Sequence, residues 1–95
     1  MNTFNFNQMT PNEINKLIAA RIRDIRKRKK MSQKKLSEKS GVSLGSVKRF
    51  ESSGEISLIS LTKIAIALNC DNELECLFQN TGFESIQEVI NEQNK

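Results

Sequence analysis

The sequence has 95 residues, enough for one domain, and its 37% of hydrophobic residues suffices for one small core. It contains no histidine, which excludes Ser-His and Cys-His nucleophilic catalysis and histidine-bound metals, and the spacing of its two cysteines matches no zinc pattern. Because no apolar run could cross a bilayer and residues 1–10 do not resemble a signal peptide, we expect a cytoplasmic protein without cofactor, metal or membrane association.

The formal net charge of +4 is the sum of two halves of opposite sign. Residues 1–49 hold 13 basic and three acidic side chains, whereas residues 50–95 hold two basic and eight acidic ones. Ten of the basic residues fall within 21–39. This asymmetry predicts one surface that binds a polyanion and an acidic surface that faces away from it.

The first predicted element is a helix that begins at Thr10. Thr10 can cap the helix, Pro11 suits its first position, and Glu13 completes a capping box. The helix should end near Lys29 or Lys30. The apolar residues of its predicted inward face are Ile14, Leu17, Ile18, Ile22 and Ile25. Residues 1–9 are predicted to form a flexible arm, with the alternative that Phe4 and Phe6 dock on a partner chain.

Two short helices joined by a glycine turn are predicted next. Ser32 can cap the second helix, and Gly41 ends it because glycine tolerates the left-handed conformation. Ser43 can cap the third helix, over residues 44–52. The predicted inward side chains of this unit are Leu36, Val42, Val47 and Phe50.

The acidic half predicts three further helices. Ser57 can cap a fourth helix with the inward residues Leu58, Leu61, Ile64, Ala65 and Leu68. Asp71 can cap a short fifth helix that carries Leu74, Leu77 and Phe78. Thr81 and Glu84 form another capping box, which predicts a terminal helix with the apolar residues Phe83, Ile86, Val89 and Ile90. Strand-like alternation is missing, so the predicted class is all-α.

Four side chains in this half need separate interpretation. Ile59 and Ile66 lie off the predicted inward face of the fourth helix, and they belong either to the edge of the core or to a subunit contact. Cys70 and Cys76 are predicted to be buried small apolar side chains.

Residues 31–70 carry a recognisable combination of motifs. It consists of Ser32-Gln33 at the start of the second helix, the turn Gly41-Val42-Ser43, and Glu51, within a five-helix order. The combination resembles the Xre/Cro/phage-repressor family of helix-turn-helix DNA-binding domains over roughly residues 17–78. The resemblance implies a five-helix lambda-repressor-like domain over residues 10–79, followed by a helical extension over residues 80–95. Its third helix would enter a major groove.

The resemblance also implies roles for individual residues. The positions that would face base edges are Leu44, Gly45, Lys48 and Arg49. The positions that would contact phosphates are Gln33, Ser43, Ser46, Arg23, Lys30 and Lys34. Arg26 and Glu51 match an internal ion pair that fixes the angle of the recognition helix.

This sequence departs from the family pattern at three of these positions. Gly45 has no side chain to read a base, and Leu44 could touch only a thymine methyl group. Hydrogen-bonded readout therefore rests on Lys48 and Arg49, which favour guanine. Lys30 stands where the family often has glycine, which predicts a longer or slightly strained turn.

Two functional hypotheses follow. The first is a sequence-specific transcriptional regulator in the nucleoid, a repressor that binds a palindrome in double-stranded DNA as a homodimer. Its predicted dimerisation residues are Leu74, Leu77, Phe78, Phe83, Ile86 and Ile90, although the segment Phe83–Ile90 could instead fold back on its own domain. The second rests on the stretch SLGSVKRFESSGEISLISLTKIAIALNC followed by LECLF, which is similar to antitoxins paired with HipA-type kinases. It implies a toxin partner. An enzyme is not predicted.

Overall fold

The computed structural model describes residues 8–80, and this part of the chain forms five α-helices and no strand. The helices are α1 Pro11–Arg28, α2 Gln33–Ser40, α3 Leu44–Ser53, α4 Leu58–Ala67 and α5 Asp71–Glu75. The predicted all-α class and the order of five helices are confirmed. Most of the predicted arm, and the predicted terminal helix with Phe83, Ile86 and Ile90, lie outside the described residues.

Local capping sequences determine where the first four helices begin. At α1, Thr10 N donates to Glu13 Oε1 (2.8 Å) and Glu13 N donates to Thr10 Oγ1 (3.2 Å), as the capping box predicts. The hydroxyls that cap α2, α3 and α4 by accepting a backbone N–H belong to Ser32, Ser43 and Ser57. Each cap satisfies a backbone donor that the helix itself leaves unpaired.

The predicted cap of α5 is wrong. Cys70 occupies the cap position without a side-chain hydrogen bond, and Asp71 is the first helical residue. Cys70 N donates to Ala65 O at 2.9 Å, which fixes this residue against the end of α4 and moves Asp71 into the first turn. There its carboxylate is favoured by the positive end of the helix.

One core lies among the helices. α3 packs on α1 and α2, and α4 packs on α2 and α5. The buried core side chains are Ala19, Ile22, Leu36, Val42, Val47, Phe50, Ile64 and Leu68. The inward residues predicted for α2 and α3 are therefore all buried.

The inward face predicted for α1 is only partly correct. Ile22 is buried, but Ile14, Leu17 and Ile18 remain exposed, while Ala19 and Arg26 are buried in their place. The small side chain of Ala19 suits the close approach of α3. The contact stripe is therefore rotated away from the most apolar face of the helix.

Three predictions for the acidic half are also corrected. Leu58, the first residue of α4, is 70% exposed rather than inward. Leu77 and Phe78 follow α5 rather than belonging to it, and both are exposed. Cys76 is exposed, although Cys70 is partly buried. Ile59 and Ile66 are exposed as well, so neither completes the core.

Left-handed backbone residues shape the turns around α2 and α3. Gly41 (φ 78°) ends α2, and Gly54 (φ 83°) ends α3. Lys30 between α1 and α2 also has a positive φ of 57°. A non-glycine residue in this region costs about 1–2 kcal/mol, which agrees with the strain predicted for this turn.

Candidate nucleic-acid interface

α3 buries one face and exposes the other. Val47 and Phe50 lie in the core, whereas Gly45, Lys48 and Arg49 are exposed and Leu44 is half-buried. A Cβ atom added at Gly45 would meet nothing within 4 Å. The exposed face of α3 therefore has no bulky side chain at Gly45, near its N-terminal end. One turn further on it carries the long cationic side chains of Lys48 and Arg49.

A buried ion pair connects α3 to α1. Arg26 Nε donates to Glu51 Oε2 at 2.7 Å, and Arg26 Nη2 donates to Glu51 Oε1 at 2.9 Å. The two side chains are only 8% and 4% exposed. A bidentate pair of this kind is directional, so it restrains the angle between the two helices.

The same pair is extended by two further hydrogen bonds. Arg26 Nη1 donates to Met31 O at 2.6 Å, which attaches the α1–α2 turn, and Gln33 Nε2 donates to Glu51 Oε1 at 3.0 Å, which attaches α2. Among the described residues, no buried side-chain nitrogen or oxygen lacks a partner. The network therefore joins α1, α2 and α3 into one rigid unit.

The network also changes the acidity of Glu51. Burial alone would raise the pKa of this carboxyl group. The hydrogen bonds from Arg26 and Gln33, with the positive charges of Arg26 and Arg23, outweigh burial and lower the pKa below that of an ordinary glutamate. Glu51 is therefore ionised whenever the folded protein is near neutral pH.

Gln33, which is predicted to contact a phosphate, also has a partner within the protein. Its side-chain nitrogen donates one of its two N–H groups to Glu51 Oε1, and the second N–H remains available to a phosphate. The backbone N–H groups at the start of α2 are further donors at this position.

A basic cavity of about 520 Å³ opens between α1, α2 and α3. Its walls include Arg23, Arg26 and Lys48, together with the polar side chains of Ser32 and Ser52. Glu51 also lines it, but its charge is matched by that of Arg26. A cavity with surplus positive charge and several donors suits a phosphate oxygen.

The other predicted phosphate-contacting residues do not line this cavity. Lys30 is exposed in the α1–α2 turn, and Lys34 is exposed on α2. Ser43 Oγ donates to Ser46 Oγ at 2.8 Å at the start of α3. These groups occupy the starts of α2 and α3 rather than one continuous row.

A second Arg–Glu pair was not expected from the sequence. Arg49 Nη2 lies 2.6 Å from Glu55 Oε1, with the two side chains 71% and 63% exposed. The partners are six residues apart across a turn, so no helical spacing signals the contact.

The residues predicted for dimerisation are only partly described. Leu74 is half-buried, Leu77 and Phe78 are exposed, and Phe83, Ile86 and Ile90 lie outside the described residues. Beside them, an apolar groove of about 210 Å³ runs between α1, α4 and α5 and includes Leu61, Leu74 and Leu77.

Comparison with known proteins agrees with this geometry. A family model described as Helix-turn-helix matches residues 22–71, which is more than half of the chain. The protein belongs to this helix-turn-helix family, which is of the Xre/Cro type. It is a DNA-binding transcription regulator. A search of curated proteins and a search of solved structures gave no match.

Within residues 8–80, no cluster of three acidic or cysteine side chains is placed to bind a metal ion. No helix in that range has the length and apolar character to cross a membrane. Members of this helix-turn-helix family are generally not enzymes.

Proposed function

We propose that the protein is a repressor that binds a short palindromic operator as a homodimer and reads bases with Lys48 and Arg49. The observation that carries the proposal is the exposed face of α3. It presents these two long polar side chains, and a buried ion pair holds the helix at a defined angle. Lysine and arginine both favour the O6 and N7 acceptors of guanine.

Phosphate contacts supply most of the affinity in this proposal. Leu44 and Gly45 allow close approach to the DNA. The residues that contact phosphates in this proposal are Arg23, Lys30, Gln33, Lys34, Ser43 and Ser46. Contacts to phosphates position a protein on DNA but carry no base sequence. The domain over residues 10–79 would make these contacts, with residues 1–9 as an arm and residues 80–95 as an extension.

The proposed dimer contact lies in the acidic half. Leu77 is 51% exposed and Phe78 is 86% exposed, and burial of such side chains against a second copy is favourable. The basic half faces DNA, so the contact should lie on the other side. On a palindrome the two α3 helices would then be about 34 Å apart.

Selection from a randomised DNA pool tests the repressor proposal directly. The wild-type full chain should enrich a duplex with an inverted repeat, and the binding stoichiometry on that duplex should be two chains. Enrichment of unrelated sequences, or of a site without symmetry, would contradict the proposal.

Sedimentation tests the location of the dimer contact. Replacement of Leu77 and Phe78 by serine should weaken the dimer, and so should a chain that ends at Gln79, which lacks Phe83, Ile86 and Ile90. Serine at both Ile59 and Ile66 is the matched control, because those side chains are also apolar and exposed. If only the control weakens the dimer, the contact lies on α4.

A second candidate function is an antitoxin of a two-gene module that also binds its operator. The observation in its favour is a separate apolar surface on α4, where Leu58, Ile59 and Ile66 are 70%, 67% and 58% exposed. A HipA-like kinase toxin could cover this surface while α3 binds DNA. A toxin-like reading frame next to the gene, whose product forms a complex that Ile59 and Ile66 substitutions disrupt, would decide for this candidate.

A further inference from the structure

The exposed Arg49–Glu55 pair lies at the end of α3, on the side of the helix that the repressor proposal turns toward DNA. Its side chains are 71% and 63% exposed. Exposed ion pairs contribute little to folding, so stability does not account for a carboxylate in this place. A negative charge beside a DNA-binding arginine also weakens general attraction to phosphates. The position of Glu55 is therefore better explained by an effect on Arg49 than by a contribution to stability.

The backbone holds Glu55 in position independently of the ion pair. Ser53 Oγ donates to Arg49 O at 2.6 Å and accepts from Glu55 N at 3.2 Å, so one hydroxyl joins both partners. Gly54 lies between them with φ +83°, and a Cβ added there would lie 2.8 Å from the carbonyl carbon of Asn15 in α1. Contact with α1 therefore fixes the turn that carries Glu55.

The two long side chains of α3 have different electrostatic surroundings. Lys48 lines the basic cavity with Arg23 and Arg26. Arg49 lines a cleft on the other side of the helix, where Glu55 is the neighbouring charge. Glu55 would repel a phosphate next to Arg49 more strongly than a guanine edge, which carries no net charge.

We propose that Glu55 is a positioning residue that sets the specificity of Arg49, because it orients the guanidinium toward a base edge and disfavours its contact with phosphate. This inference rests on the proposed function, in which Arg49 reads a base. A guanidinium has five N–H donors, so the bond to Glu55 leaves others for guanine O6 and N7. Ordering the side chain before binding also reduces the conformational entropy lost in the complex.

Affinities of Glu55 variants for two duplexes test the proposal. The probes are the duplex selected by the wild-type full chain and a scrambled duplex of the same composition. In Glu55→Ala, the ratio of the two affinities should fall about threefold, the size expected for one exposed ion pair. Glu55→Gln should have a smaller effect, because its carbonyl oxygen can still accept from Arg49.

Salt dependence supplies a readout that a purely structural role would not change. Without Glu55, Arg49 is free to contact a phosphate, so binding to the scrambled duplex should tighten. The slope of log affinity against log salt should steepen by about one. Glu38→Gln, which removes an exposed acid from α2, is the control for the change in net charge and should alter both duplexes equally.

The Arg49→Ala background separates failure of this inference from failure of the proposed function. There, Glu55→Ala should no longer change the affinity ratio. An equal ratio change in both backgrounds, or equal changes on both duplexes, would overturn the role of Glu55. If Arg49→Ala keeps the wild-type ratio, base reading by Arg49 fails and the inference fails with it. If Arg49→Ala loses the preference but Glu55→Ala retains it, only the role of Glu55 fails.

Discussion

The recognition helix α3 takes part in two Arg–Glu pairs that share their chemistry and differ in their surroundings. The inner pair, Arg26–Glu51, is 8% and 4% exposed and joins α3 to α1. The outer pair, Arg49–Glu55, is 71% and 63% exposed and lies at the end of α3. Their shortest distances are 2.7 Å and 2.6 Å, so distance alone does not distinguish them.

Burial determines what each pair can do. In the inner pair, water cannot replace a lost partner, so each charge depends on the other and on the hydrogen bonds of Met31 and Gln33. In the outer pair, water solvates either charge, so the loss of one partner costs the fold little. The inner pair therefore holds the helix, and the outer pair is suited to tune what the helix reads.

The largest effect should come from removing one member of the inner pair. Arg26→Ala leaves the buried carboxylate of Glu51 without its charged partner, so the free energy of unfolding should fall by about 3 kcal/mol or more. Urea denaturation of the full chain would measure this. Arg21→Ala, which removes an exposed arginine of α1 that does not lower the pKa of Glu51, is the control and should change stability by less than about 0.5 kcal/mol.

A double variant sharpens this test. Arg26→Met with Glu51→Leu removes both charges and fills the same space with apolar groups, so it should be more stable than either single alanine variant. If the double variant is as unstable as the sum of the two single variants, the charges are not coupled and the pair does not act as one unit.

The second effect concerns binding rather than folding. Arg49→Ala should weaken binding to the selected operator by about 1–3 kcal/mol and relax discrimination at one base pair, while binding to scrambled DNA falls much less. The unfolding midpoint should stay near that of wild type because this side chain is exposed. Competitive gel-shift titrations measure the affinities, and an equal loss on both duplexes would make Arg49 a phosphate contact.

These two pairs also show what could be predicted from the sequence. The serine caps and Gly41 follow from local patterns, and Arg26–Glu51 follows from resemblance to a family, because both depend on residues at fixed positions in a known order. The Arg49–Glu55 contact depends on the left-handed Gly54 and on its approach to Asn15 of α1. That approach depends on how α1 packs near the end of α3, and no periodic pattern in the sequence predicts it.

The errors have a similar origin. Periodicity predicted Leu58 as inward because it lies on the apolar face of α4, but burial also depends on how far the neighbouring helices extend. Arg26 was predicted to pair but not to be buried in the contact stripe of α1. A hydrophobic pattern does not predict that an arginine will be buried. The burial of Arg26 depends on Glu51, which lies on another helix.

The inner pair should also make the stability of the fold depend on pH. Because the folded-state pKa of Glu51 is lowered, its ionised form stabilises the fold above the unfolded-state value of about 4.3, and this contribution is lost as the pH falls through the folded-state pKa. Glu51→Gln cannot titrate, so its stability deficit relative to wild type should be greatest near pH 6 and shrink toward pH 3. Parallel stability curves for the two proteins would show that the Glu51 carboxylate contributes no such linkage.

The smallest expected effect is the contribution of the outer pair to folding. Arg49→Ala, Glu55→Ala and the double variant form a cycle whose coupling energy should be below about 0.5 kcal/mol, since both side chains are largely in water and lose rotamer freedom when they pair. That coupling should vanish in about 1 M salt, where the Debye length is about 3 Å. The small value is informative because it would show that Glu55 changes DNA selectivity without changing the fold. A coupling as large as that of the inner pair would instead mean that Glu55 supports the end of α3, and any effect on DNA binding would then pass through the helix.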